Sequence, residues 1–128
     1  MSAMSDYLEN EVLDHILGTG AYTMPSNVYI GLSTGSFVDD ASGTELSGSG
    51  YTRKVVTFAA ASSASAATNA TVTFPTATGS WGAVSHWGIF DASSSGNLLI
   101  HGAFASSKTI ASGDVLRVNS GDLTVTAA

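Results

Sequence analysis

The sequence predicts a mainly β fold: an antiparallel β-sandwich, of jelly-roll or related Greek-key type, with one short N-terminal helix. Three observations predict it. Short β-branched and aromatic runs recur along the chain, clusters of Gly, Ser, Asn and Asp separate them, and only residues 6–17 carry a helical period. At 128 residues the chain fits a single domain, 1–128, with the helix over 6–17 and the sandwich over 27–126.

The helix comes first. Asp6 with Glu9 three residues on forms a capping-box-like pair, and Asp6, Glu9, Glu11 and Asp14 favour the positive end of the helix dipole. Leu8, Val12, Leu13, Ile16 and Leu17 make one apolar stripe, and Gly18 supplies a left-handed stop. A short helix with one apolar stripe needs a surface to dock on, and this one is expected to cover its own sandwich rather than another subunit.

The strands follow. Residues 27–33 place Val28, Ile30 and Leu32 on one face, and residues 34–50 form a long loop pinned by Phe37, Val38 and Leu46. Residues 51–59 read as a strand, 60–70 as a low-complexity loop or irregular edge, and 70–74 as a short strand closed by Pro75. Residues 81–91 hold both tryptophans. Alternation puts Trp81, Ala83, Ser85, Trp87 and Ile89 on one face and Gly82, Val84, His86, Gly88 and Phe90 on the other. Large apolar groups on both faces mark a central strand, with Trp81, Val84, Trp87, Ile89 and Phe90 as a structural spine. Residues 98–105 are its expected hairpin partner, and segments 115–118 and 123–125 bring the total to about seven strands.

Charge is sparse and lopsided. Charged residues make up 11% of the chain, and the net charge is −6. Residues 1–50 hold Asp6, Glu9, Glu11, Asp14, Asp39, Asp40 and Glu45 with no Lys or Arg, while the four basic residues are scattered over the remainder. No phosphate-tracking groove can be built from them, so nucleic acid is not an expected partner. With no cysteine, disulfides and thiolate metal sites are excluded. The first residues lack a basic n-region and an apolar core, and no apolar run has the length of a membrane span, so the expectation is a soluble protein with no membrane partner. A low-charge surface of this kind suits burial against neighbours.

The chemistry a site would need is thin. His86 and His101 are expected to be cross-strand neighbours and could supply two metal ligands with Asp91 as a third, but a hydrogen-bonded structural pair is the favoured reading. Asp39, Asp40 and Glu45 lack the spacing of a calcium loop. No nucleophile elbow, P-loop or zinc-protease motif occurs, so neither an enzyme, a metal nor a cofactor is expected. Trp81 and Trp87 invite a glycan-stacking reading, against which stands their place on a central strand.

The runs at 6–18, 22–34, Gly50 to Arg53, 72–78, 81–92 and the Leu-Thr-Val-Thr near the end resemble small virion proteins of tailed bacteriophages, often labelled tail fibre proteins. The resemblance covers nearly the whole chain and carries no catalytic residue. It implies a non-enzymatic protein of the virion, made in the host cytoplasm, whose partners are the major capsid protein or other virion proteins. A domain of this size has a radius of gyration near ~14 Å and lacks a shaft repeat, which favours a capsid decoration (cement) protein, expected to be a homo-oligomer and most readily a trimer. A tail adaptor, or a tail fibre or receptor-binding component, is the alternative. Candidate contact residues are Asp6, Glu9, Glu11, Asp14, Phe37, Asp39, Asp40 and Glu45.

Overall fold

A computed structural model describes residues 2–39 and 43–126. In chain order the elements are β1 (Ser2–Met4), α1 (Asp6–Leu17), β2 (Val28–Ser33), β3 (Lys54–Val56), β4 (Ser65–Ala67), β5 (Val72–Thr73), β6 (Gly82–Phe90), β7 (Leu98–Ile110), β8 (Arg117–Val118) and β9 (Thr124–Thr126). Among the described residues the fold is mainly β with one helix, and every strand pair is antiparallel. A five-stranded sheet runs in the order β1-β7-β6-β2-β3, and two ribbons, β4-β9 and β5-β8, make up the remaining pairs.

The core joins these layers. Ile30, Leu32, Val56, Trp87 and Ile89 of the large sheet are buried with Val72, Phe74, Leu116, Val118 and Leu123 from the ribbons and their flanks. Sheet packed on ribbon gives the sandwich its apolar filling. β6 is central, paired with β7 on one side and β2 on the other.

The spine departs from simple alternation. Trp81, Val84, Trp87 and Ile89 all lie in one core cluster, although Val84 and Trp87 differ by an odd number of positions. The ladder slips between Val84 and His86, where Ser85 alone on β6 stands against Phe104, Ala105, Ser106 and Ser107 on β7, and across this irregularity the inward-facing parity of β6 switches. Gly82, at φ 81°, makes the turn by which Trp81 enters the same cluster. Phe90 instead belongs to a second cluster with Phe37 and Leu98 on the opposite face.

Four segments differ from expectation. β1 adds an edge strand before the helix, because Ala3 and Met4 pair with His101 and Ile100 and the Ser5 amide continues the ladder to the Leu99 carbonyl at 2.8 Å. Within the segment read as loop, β4 forms by backbone pairing of Ser65, Ala66 and Ala67 with Thr126, Val125 and Thr124. β7 continues to Ile110, five residues past the expected end at Ala105, since Lys108, Thr109 and Ile110 pair with Val84, Ala83 and Gly82. Finally, the helix cap is Ser5 and not Asp6. The Ser5 hydroxyl accepts from the Leu8 amide at 3.3 Å and donates to the Leu98 carbonyl, tying the helix start to β7. Gly18 ends the helix in the left-handed region at φ 80°.

Candidate interaction surface

The second face of the large sheet is closed by the chain's own loop. Gly31 and Gly88 face one another across β2 and β6, leaving bare backbone on that side. The Phe90 ring lies over both, and Phe37 meets it edge-on with ring centroids 5.8 Å apart. The Arg53 guanidinium stacks over the Phe90 ring, 3.6 Å from its centroid. That guanidinium donates to both carboxylate oxygens of Glu45 at 2.8 Å, and to the carbonyls of Ala92 and Ser95 at 2.8 Å. Tyr51 completes the knot: its hydroxyl donates to Glu45 at 2.5 Å and accepts from the Leu32 amide at 2.9 Å. Burial first, and the Glu45 carboxylate second, push the Tyr51 phenol far above its usual range.

The histidines hold the same loop. His86 lies opposite Ala103 and His101 opposite Gly88, so the two are not register partners. His86 Nε2 is 3.2 Å from the Ser36 hydroxyl and Nδ1 is 2.7 Å from Ser85, while His101 Nε2 is 2.7 Å from the Asp39 carboxylate. The Asp39 carbonyl accepts from the Asp6 amide at 2.9 Å, joining loop to helix start. Asp91, the third ligand considered, instead accepts from the Asn97 amide at 2.7 Å and from its side-chain nitrogen at 3.0 Å, closing the β6-β7 turn. Among the described residues no three His, Asp or Glu groups converge as a metal site. Phe37, Asp39 and Glu45 thus fasten the loop, and Asp40 lies outside the described residues.

Both tryptophans are interior. Trp81 and Trp87 are 5% and 3% exposed, and the Trp81 indole donates to the Ser49 carbonyl at 2.9 Å and meets the Tyr51 ring edge-on. A sugar needs a free ring face to stack on. Neither tryptophan has one, which removes the platform for glycan binding through them.

What remains open is the helix. Of its stripe only Leu8 is buried, whereas Leu13, Ile16 and Leu17 are 55%, 72% and 71% exposed and Val12 is at the border of exposure. The stripe does not cover the sandwich as expected: α1 touches β7 and β1, but Val12, Leu13, Ile16 and Leu17 stay exposed. The chain returns through Tyr22, whose amide donates to His15 Nδ1 at 3.2 Å. Between this return and the sheet lies an apolar groove of about 320 Å³, walled by Leu8, Tyr22, Val28, Phe58, Ile100 and Val125 among others. The sequence does not reveal this groove because its walls come from segments spread from Leu8 to Val125. Asp6, Glu9 and Asp14 are exposed on the helix, with Glu11 half-buried.

No curated protein matches the chain. A family model described as Podophage GP4 fiber I protein gp80 matches residues 3–126, nearly the whole length, and the chain therefore belongs to that family of phage virion proteins.

Proposed function

We propose that the chain is a non-enzymatic building domain of the phage virion, one globular unit of a tail fibre assembly that works by association through α1. One observation carries this reading. Of the candidate contact side chains, Phe37, Asp39 and Glu45 on the 34–50 loop are spent on internal contacts, whereas the acidic helix displays an apolar ridge that none of the described residues covers. Apolar patches of this kind rimmed by polar groups mark sites of protein association. The fibre description of the family supports the tail side, and the absence of a shaft repeat from the sequence makes the domain one part of a larger appendage rather than a whole fibre.

Capsid decoration is the second reading, favoured by the same compactness. A cement protein would bind the major capsid protein in the assembled shell and stabilise it by mass action. Quantitative densitometry of purified virions separates the two. A few tens of copies per particle fit a tail component, hundreds fit cement, and robust hydrolysis of host wall or capsule by the purified chain would overturn both.

A further inference from the structure

The exposed side of α1 is divided along its length. At about 100° per residue, Asp6 lies within about 20° of Leu13 and Leu17 around the helix axis, and Glu9 within about 20° of Ile16, so all five share one face. All five are exposed, with the acids on the first turn and Leu13, Ile16 and Leu17 on the later ones. At the helix start Asp6 also walls a cleft of about 290 Å³, together with Tyr7, Asp39, Asn97 and Leu98. We propose that this cleft receives a lysine or arginine side chain of another virion protein, whose adjoining apolar surface covers Leu13, Ile16 and Leu17. The inference deepens the reading of association through α1 and rests on it.

Charge selects the occupant. The cleft holds the Asp6 and Asp39 carboxylates, and among the described residues no Lys or Arg lines it. His101 reaches one oxygen of Asp39 at 2.7 Å, while that side chain stays 52% exposed. Among the described residues neither Asp6 nor Glu9 has a side-chain hydrogen bond or ion pair. The Tyr7 phenol is pushed above its usual range by burial first and then by the Glu11 and Asp91 carboxylates, with no cation opposing them. Tyr22 is pushed the same way, by burial and then by Tyr7, Asp91 and Glu11. The field at this end of the helix is therefore negative and uncompensated, and the half positive charge of a helix start offsets only part of it. Shape agrees with sign. A long cationic side chain can lay its stem along Tyr7 and Leu98 while its head donates to Asp6 and Asp39. Such a cation set beside an apolar surface matches the order of groups along the exposed helix face.

The same sign argues against a second copy of the chain in the cleft. Two chains of net charge −6 repel, and of their few cations Arg53 is already engaged by Glu45, Ala92 and Ser95.

Incorporation in trans, into particles of a phage lacking its own copy, tests the proposal. Asp6→Lys and Glu9→Lys each replace an acid by a base, and Ser106→Lys with Ser107→Lys, at exposed positions of β7, raises the net charge equally. Each helix variant should be depleted at least about ten-fold from purified particles, counted by quantitative mass spectrometry, with an unchanged circular dichroism spectrum. The β7 control should incorporate as the wild type does. Equal depletion of that control overturns the proposal, because the effect then follows net charge and not the cleft. Wild-type incorporation of the folded helix variants overturns it as well. In sedimentation equilibrium, a purified chain that stays monomeric to about 100 µM supports a foreign partner, and an oligomer that Asp6→Lys dissociates overturns it. Leu13→Glu, Ile16→Glu and Leu17→Glu combined read the ridge separately. Depletion of that triple variant with normal incorporation of the lysine variants overturns the cationic partner and leaves association through α1 standing. Normal incorporation of all of them overturns both.

Discussion

Gly31 and Gly88 are register partners on neighbouring strands, and their two bare backbones form the floor on which Phe90 rests. A Cβ at Gly31 would stand 2.7 Å from a Glu45 carboxylate oxygen and 2.9 Å from the Phe90 ring, and one at Gly88 would stand 2.9 Å from Leu98. Alanine at either position should therefore destabilise the fold by about 1–3 kcal/mol through overpacking. Gly35→Ala, where a Cβ meets nothing within 4 Å, should stay within about 0.5 kcal/mol. Urea denaturation of the three variants makes the comparison.

Arg53 and Glu45 form an ion pair whose side chains are 8% and 23% exposed, with four of the five guanidinium N–H groups used by two carboxylate and two carbonyl bonds. Removing one partner strands the other, so Arg53→Met should cost about 3 kcal/mol or more. Glu45→Gln should cost less, because it keeps an acceptor. The double variant should fall short of the sum, and Arg53→Lys should not rescue, lacking the planar fork. A double-mutant cycle on unfolding free energies measures the coupling.

Tyr51 gives the fold an alkaline limit. Its phenol is held neutral in the folded state, with a pKa raised far above the ordinary value near about 10. The unfolded chain loses that proton first as pH rises, so stability is fully present below about pH 10 and declines above it. Tyr51→Phe should lower stability at neutral pH by about 1–3 kcal/mol, through the lost bonds to Glu45 and Leu32, and should flatten the alkaline decline. Thermal melts from pH 7 to about 11 test both signs.

Trp87 lies in the core beside Trp81, Ile89 and Val84. Trp87→Ala should cost about 3–5 kcal/mol and unfold the protein before it removes any selective contact. Simple glycans should leave the intrinsic tryptophan fluorescence unchanged. A folded Trp87→Ala protein that has lost only its attachment would show that the side chain serves an interface instead.

Local signals carried part of this fold in the sequence. The helix over 6–17 was legible because its apolar period and the Gly18 stop are encoded within one stretch, and the central strand because its large side chains need cover on both faces. β1 and β4 carried no such mark. Ser-Ala-Met and Ser-Ala-Ala have too little side chain to show a pattern, and their pairing is made by backbone groups with strands nearly a hundred and about sixty residues away. The polar end of β7 was missed for a related reason, since Lys108 and Thr109 extend the ladder while facing solvent. The fate of the loop acids depended on partners distant in sequence: Asp39 meets His101, and Glu45 meets Arg53. As for the stripe, amphipathicity shows that a helix has an apolar side without saying which molecule covers it.

The most direct test of association through α1 is made in the virion. A chain carrying Leu13→Glu, Ile16→Glu and Leu17→Glu changes only exposed positions and should fold as the wild type does. Supplied in trans during infection by a phage lacking its own copy, it should be depleted at least about ten-fold from purified particles relative to wild type, as counted by quantitative mass spectrometry. Incorporation equal to wild type by the folded triple variant would contradict the account.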